Sequence, residues 1–256
     1  MRRAAILLWI IFLAPAVTAA FAAALTRDDV QALLAAAAGA PAGKGANLTG
    51  KSLAGLDLHG LDFSGAELSG ADLSDADLRG AKLVGTKLVG AKLTKAKLNL
   101  AWIMGADFSH ADLSGADLET LVVSAGMETQ PNEAASFAGA NLSGAKVTAR
   151  FSLDDMRGAD LSHLQASVDM RNQSMGVIGA DFSRADLAGA NFEGAALAHV
   201  NFKFAKLQRA DFSAADLSGA DFSGADLTEA DLSGANTAGT NFSGAMLKGV
   251  KGYTPP

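Results

Sequence analysis

Residues 66–85 read AELSG ADLSD ADLRG AKLVG, four near-copies of a five-residue unit, and this stretch decides the fold. In each copy Ala comes first, a charged residue second and Leu third, and the last position is Gly or Asp. A large apolar residue recurs every five positions from Leu48 to Leu118. That period is neither the value of about 3.6 of an amphipathic helix nor the value of about 2 of a strand. The sequence therefore predicts a tandem-repeat architecture.

The same period returns in a second run, from Phe182 to Leu247, in a different phase. Two stretches between the runs break the register, and we predict an inserted loop at 124–136 and distorted coils with a bend across 148–178. Gly ends most units because it adopts the positive φ of tight turns without steric cost. Other residues, such as Asp75, replace this Gly in places, which predicts that the turn types are mixed.

The unit Ala-Asp-Leu-Ser-Gly occurs with small variations at 71, 111, 116 and 225. It resembles the repeat of the pentapeptide-repeat family, and the resemblance extends over about 46 to 250 apart from the two breaks. It implies an all-β fold, a right-handed quadrilateral β-helix (a solenoid) with four repeats per coil. The apolar third residue and the Ala two positions before it would point inward.

Four repeats per coil would place residues twenty apart on neighbouring coils, about 4.8 Å from each other. Phe182, Phe202, Phe222 and Phe242 would then form one column. The outward second positions give a second test, because a run of four lysines would lie between acidic residues of the coils before and after it. These are Lys82, Lys87, Lys92 and Lys97.

The first 24 residues have the pattern of a secretory signal peptide. Arg2 and Arg3 precede an apolar stretch from Ala4 to Val17, and small residues follow. The alternative is an uncleaved membrane anchor, but the apolar run is short for a span and Pro15 interrupts it. A cleaved signal predicts a periplasmic or secreted bacterial protein without stable membrane insertion.

A short helix is predicted at 28–38, because Thr26 can cap it and acidic residues fill its first turn. Gly39 can end this helix, which we expect to cap the repeats, and 41–45 is a linker. The other end is either sealed by the short tail after 250 or paired with a second copy, and the family resemblance favours a homodimer through this end. The predicted segments are 1–24, 25–45, 46–123, 124–178, 179–250 and 251–256.

The composition favours no catalytic chemistry. The chain has no Cys, and its net charge of −6 gives no sign of a basic surface for direct nucleic-acid binding. The four histidines are isolated at outward or turn positions, and the many Asp residues recur with the repeat rather than around a pocket. We therefore expect no enzyme activity, no cofactor and no metal site.

Two functions are consistent with these features. The first is an exported scaffold or protein-binding module with an unknown protein partner. The alternative, implied by the resemblance, is a DNA mimic that binds DNA gyrase or topoisomerase IV and protects it from quinolones. Trp102 is an outward aromatic residue that either anchors a partner or covers the loop near 119–136, and we favour the second role. The candidate interaction surface consists of Trp102, Met127, Pro131, Asn132, Lys82, Lys87, Lys92 and Lys97.

Overall fold

The computed structural model describes residues 25–38, 45–119, 121, 123, 129–166 and 180–253. Within them lie one α-helix, α1 (Arg27–Ala37), and two short strands, β1 (Asp117–Leu118) and β2 (Lys146–Val147), which pair in parallel. The predicted signal peptide, Gly39, most of the linker and Met127 lie outside the described residues. No helix in the described part is long and apolar enough to cross a membrane.

The repeats are joined by parallel bridges between successive coils. Asn47 pairs with Glu67 and Glu67 with Lys87, so the fifth repeat lies on the first and four repeats make one coil. The second residues of the repeats thus form four ladders, numbered in chain order and beginning at Asn47, Ser52, Asp57 and Asp62. The stacking of residues twenty apart, predicted from the sequence, is confirmed by these bridges.

The backbone hydrogen bonds of one repeat account for the five-residue period. Leu73 donates its N–H to the carbonyl of Lys92 on the next coil at 2.7 Å, and Lys92 donates back to Ala71 at 2.9 Å. The N–H of Ala76 closes the turn on the carbonyl of Leu73 at 3.0 Å. These backbone N–H groups of the repeat therefore find their partners either across coils or within the turn.

The core consists of the first and third residues of the repeats. Ala71 and Leu73, for example, are fully buried, and the same holds along most of both runs. The predicted phenylalanine column is confirmed, with centroid distances of 5.3 Å from Phe182 to Phe202 and 4.7 Å from Phe202 to Phe222. Phe212 meets the ring of Phe202 edge to face at 5.8 Å, so aromatic columns contact one another across the core.

The turns are more uniform than the sequence predicted. Asp75 has φ of 57°, close to the 64° of Gly70 at the equivalent position. The prediction of mixed turn types was therefore wrong. The turn requires positive φ at the last residue of the repeat whatever side chain stands there. The second residue supports the turn, since Asp72 accepts a hydrogen bond from the N–H of Ser74 at 3.1 Å, which explains why Asp and Asn are frequent there.

The break in the middle of the chain is narrower than predicted. Pairing resumes at Ser136 and continues to Gln165, so the segment 124–178 contains regular coils as well as insertions. The change of phase within it comes from a single missing residue, because Lys146 and Arg150 occupy adjacent ladders only four positions apart. The second insertion falls between Ala166 and Ala180, and its residues 167–179 lie outside the described part.

The first end of the described repeats is covered by α1, whereas the inward residues of the last coil are only partly buried. At the first end Thr26 forms a capping box with Asp29, as the sequence predicted for the cap, and Val30 of α1 is fully buried. Arg27 fixes α1 to the first coil by donating from Nη1 to the carbonyl of Asp57 at 2.6 Å. At the other end pairing extends to Lys251, one residue beyond the predicted run, and Tyr253 packs on Phe242.

Candidate protein-binding surface

Both insertions lie next to ladder 4. The first lies between Asp117 of ladder 3 and Ser136 of ladder 1, where the ladder-4 position of that coil belongs. The second lies between Gln165 of ladder 3 and Asp181 of ladder 4. We use the term ladder-4 surface for the second residues of ladder 4 and the turn that follows each of them. The ladder-4 positions are Asp62, Lys82, Trp102, Arg150, Asp181, Asn201, Asp221 and Asn241.

Large apolar side chains are exposed on and beside this surface. Trp102 is 40% exposed and Phe204, in a turn after ladder 4, is 60% exposed. Leu100, at 58% exposed, lies in the turn that leads from ladder 3 to Trp102. Trp102 is thus not fully covered by the insertion, which was the role favoured from the sequence. Exposed aromatic residues of this kind are frequent anchors in protein interfaces.

The charge of the ladder-4 surface differs from that of the rest of the coils. Its described charged residues are three acids and four bases, namely Asp62, Asp181, Asp221, Lys82, Arg150, Arg184 and Lys203. Ladder 2 and its following turns carry seven acids and three bases, namely Asp72, Asp75, Asp112, Asp160, Glu193, Asp211, Asp231, Lys92, Lys95 and Lys251. The ladder-4 surface is therefore the more basic of the two.

The four predicted lysines do not form a patch with Trp102. They lie on four different ladders, Lys82 on ladder 4, Lys87 on ladder 1, Lys92 on ladder 2 and Lys97 on ladder 3. Their predicted position between acidic coils is confirmed for the last three, since Lys87, for example, pairs with Glu67 and Asp107. The Nζ of Lys87 lies 2.7 Å from Glu67 Oε1, and this hydrogen bond raises the pKa of Lys87.

The described end of the first insertion is fixed to the coils beside ladder 4. Pro131 and Asn132 are exposed in a turn, and the carbonyl of Glu133 accepts the N–H of Gly105 at 2.8 Å. Gln130 donates its N–H to Glu133 Oε2 at 3.0 Å, which closes the turn. Two of the three loop residues predicted from the sequence therefore lie next to the coil that carries Trp102.

A buried carboxyl at the point where the chain returns from this insertion was missed by the sequence analysis. Asp154 is 1% exposed and stands at an inward position where most repeats have Ala. Its Oδ1 accepts the N–H of Ala135 at 2.9 Å, a donor that in ordinary repeats closes the preceding turn. Burial raises the pKa of Asp154 to about 8. The sequence did contain a signal for this burial. Asp154 stands two positions before the apolar Met156, and this is the inward position that Ala occupies in most repeats.

A groove lies along the turns that follow ladder 4, in three successive coils. It has a volume of about 310 Å³. Its walls are Thr129, Arg150, Ser152, Leu153, Asp181, Ser183, Arg184, Asn201, Lys203 and Phe204. The sequence analysis did not find this groove, because its residues come from separate coils and from the end of an insertion whose register the repeat does not determine.

The histidines lie in the turns, as predicted. The ring of His110 lies against Gly139 of the next coil, and His163 and His199 have the same relation to Gly194 and Gly219. Within the described ranges no group of three or more His, Cys, Asp or Glu residues is placed to hold a metal ion.

With the ladders and turns in place, the chain can be compared with known proteins. The family model for pentapeptide repeats matches in eight copies, within residues 44–119 and 178–251. The chain belongs to the pentapeptide-repeat family. No curated protein matches the chain.

Among solved structures, the chain is similar to HetL, a pentapeptide-repeat protein involved in heterocyst differentiation regulation from the cyanobacterium Nostoc sp. strain PCC 7120. The two are 30% identical over 80% of this chain and 86% of HetL, with a TM-score of 0.62. QnrB1, a plasmid-mediated fluoroquinolone resistance protein, is 22% identical over 80% of this chain and 84% of its own, with a TM-score of 0.39. The family resemblance predicted from the repeat is thus confirmed.

Proposed function

We propose that this chain is an exported, non-catalytic scaffold whose ladder-4 surface binds a protein partner. The coils would form a right-handed quadrilateral β-helix, with an acidic surface on most sides. The observation that carries the binding role is that both insertions lie next to ladder 4, which also carries Trp102 and the turn with Phe204. Insertions in a rigid repeat framework are frequent sites of specific contacts.

The physical character of the coils supports a binding role. Their side chains are held by a continuous core and by hydrogen bonds between coils, so the surface is preorganised and little conformational entropy is lost on association. HetL, which is similar over most of its length, is involved in regulation, and that role is consistent with action by contact. The signal-peptide pattern of residues 1–24 supports export.

Site-specific cross-linking tests the binding surface. A photoreactive amino acid replaces Trp102 in one variant and Lys92 in another, because both are exposed on the same coil but lie on different ladders. We expect a discrete cross-linked protein from position 102 in the native cells and none from position 92. Equal labelling from both positions, or from neither, would contradict a binding role for ladder 4.

Cell fractionation with intact-mass measurement tests export. We expect a periplasmic or secreted chain that begins between Ala20 and Leu25. A full-length cytoplasmic chain would contradict export and would favour the DNA-mimic alternative. In that case a supercoiling assay with gyrase and a quinolone would show whether the protein protects the enzyme.

A further inference from the structure

The groove beside ladder 4 is lined by more basic than acidic residues, although the chain as a whole is acidic. Arg150, Arg184 and Lys203 line it, against the single carboxylate of Asp181. Asp181 is engaged on its own ladder, where Oδ1 accepts hydrogen bonds from Asn201 Nδ2 at 2.9 Å and from the N–H of Ser183 at 2.9 Å. A net positive groove on a chain of net charge −6 attracts an anionic ligand.

The cations differ in how far they are already neutralised. The ammonium group of Lys203 lies 3.2 Å from Asp221 Oδ2. Arg184 is exposed, and no described residue forms an ion pair with it. Its guanidinium can therefore bind a carboxylate by donating two parallel hydrogen bonds, the geometry for which arginine is best suited.

The turns that form the groove hold large side chains in a conformation that favours glycine. Leu153, Arg184 and Phe204 have φ of 72°, 60° and 58° in three successive coils. The same turn position holds glycine in the other described coils, as at Gly85 and Gly224. Positive φ costs a residue other than glycine about 1–2 kcal/mol. These three turns thus keep an apolar, a cationic and an aromatic side chain despite a local cost in stability.

The groove also presents an unpaired polar group. The hydroxyl of Thr129, on its wall, is shielded from water and has no hydrogen-bond partner among the described residues. Such an unpaired group is unfavourable, and a ligand oxygen or amide would satisfy it. Apolar surface from Leu153 and Phe204 lies beside it. The groove therefore combines cations, hydroxyl groups and exposed apolar surface.

We propose that this groove binds an acidic segment of the partner protein, in extended conformation, with an apolar residue between or beside two carboxylates. The proposal rests on the function proposed above and names the chemistry of the partner. Arg184 and Lys203 stand on neighbouring coils about 4.8 Å apart. In an extended chain residues two apart lie on the same face, about 7 Å from each other, so two such carboxylates can reach one cation each. A volume of about 310 Å³ is small for a cofactor but sufficient for a few side chains.

The test uses a fluorescein-labelled peptide, Ser-Gly-Glu-Leu-Glu-Leu-Ser-Gly, in which the two Glu side chains share one face when the chain is extended, and fluorescence anisotropy at low salt. The key variant is Arg184→Gly, which removes the cation while giving the turn the residue that suits its φ. We expect the folded protein to lose affinity for the peptide by about tenfold or more, with an undiminished Tm. The Gln-for-Glu version of the peptide should bind the unmodified protein weakly.

Arg209→Gly is the matched control, because Arg209 has φ of 58° in an equivalent turn on ladder 1 and does not line the groove. Equal loss of affinity in both variants, or none in either, would overturn the proposal. Inorganic phosphate that binds through Arg184 when the peptide does not would also overturn it, in favour of a small-anion site. Self-association lost with Arg184→Gly would assign the groove to a second copy. If the peptide does not bind while cross-linking from position 102 still occurs, the proposed groove site is refuted and the binding role of the ladder-4 surface is not.

Discussion

The effect of Asp154→Ala on the free energy of unfolding should depend on pH: relative to the unmodified protein, the variant gains stability as the pH rises from acid to alkaline values. In the folded protein the pKa of Asp154 is raised by burial to about 8, whereas an unfolded chain has a carboxyl pKa near its ordinary 3.8. Between these values the folded state retains a proton that the unfolded state has released. The free energy of unfolding therefore falls as pH rises, by about 1.4 kcal/mol per pH unit, and levels off above the folded pKa.

The magnitude follows from two opposed effects. Asp154→Ala leaves the buried N–H of Ala135 without its acceptor, which costs about 1–3 kcal/mol. It also removes a carboxyl that becomes charged in the core, and that penalty is about 2 kcal/mol at pH 5 and about 6 kcal/mol at pH 9. We expect the variant to lie within about 1 kcal/mol of the unmodified protein at pH 5 and to be more stable by about 3–5 kcal/mol at pH 9.

Urea unfolding followed by circular dichroism at both pH values measures this change. Asp155→Ala is the control, because the side-chain hydrogen bond from Arg157 lowers the pKa of Asp155. A carboxyl with a lowered pKa stabilises the folded state at pH values above its ordinary pKa, and this stabilisation is lost only as pH falls below that value. The effect of Asp155→Ala on stability should therefore be constant from pH 5 to pH 9. A constant effect of Asp154→Ala over the same range would refute the reasoning.

Three further predictions concern the repeats. Gly219→Ala should destabilise the fold more than Gly144→Ala in thermal unfolding, because both glycines have positive φ but only the first would meet a histidine ring of the coil below. Phe202→Ala should lower the free energy of unfolding in urea by about 3–5 kcal/mol, since the ring is fully buried. Phe242→Ala in the last coil should cost less, because that ring is only partly buried. Equal costs would argue against a core that weakens toward its end. Lys92→Glu should lower stability by about 1 kcal/mol or less, through repulsion by the aspartates on either side, and the loss should shrink in high salt.

The repeat predicted most of the architecture because each inward position is specified by its own residue. Leu73 and its equivalents are large and apolar, Ala71 and its equivalents are small, and the twenty-residue pairing follows once four repeats make a coil. The turn conformation was harder to predict from the sequence, because Asp75 adopts the positive φ of glycine only under the constraint of the coils around it. Local preference and the requirement of the coil disagree at that position.

The candidate site was harder to predict than the fold. Trp102 was identified because it breaks the charge pattern of the second position. The lysines were misjudged as one surface, since neighbours in sequence lie on different ladders around the coil. Arg184 and Phe204 come together with Thr129 only after the insertions have been placed, and the period of the repeat gives no information about their length.

The pairing across the insertions shows how this fold keeps its alignment. Asp107 pairs with Ser136, Ser136 with Asp155, and Asp155 with Asp186. The separations are unequal along the chain, yet each residue returns to the same ladder. Alignment is thus set by the exposed edge of the coil below, which acts as a template for the next coil, and not by a count of residues. A segment of arbitrary length grafted at the boundary of ladders 3 and 4 should leave the later coils in place, so the same rod can present different recognition loops.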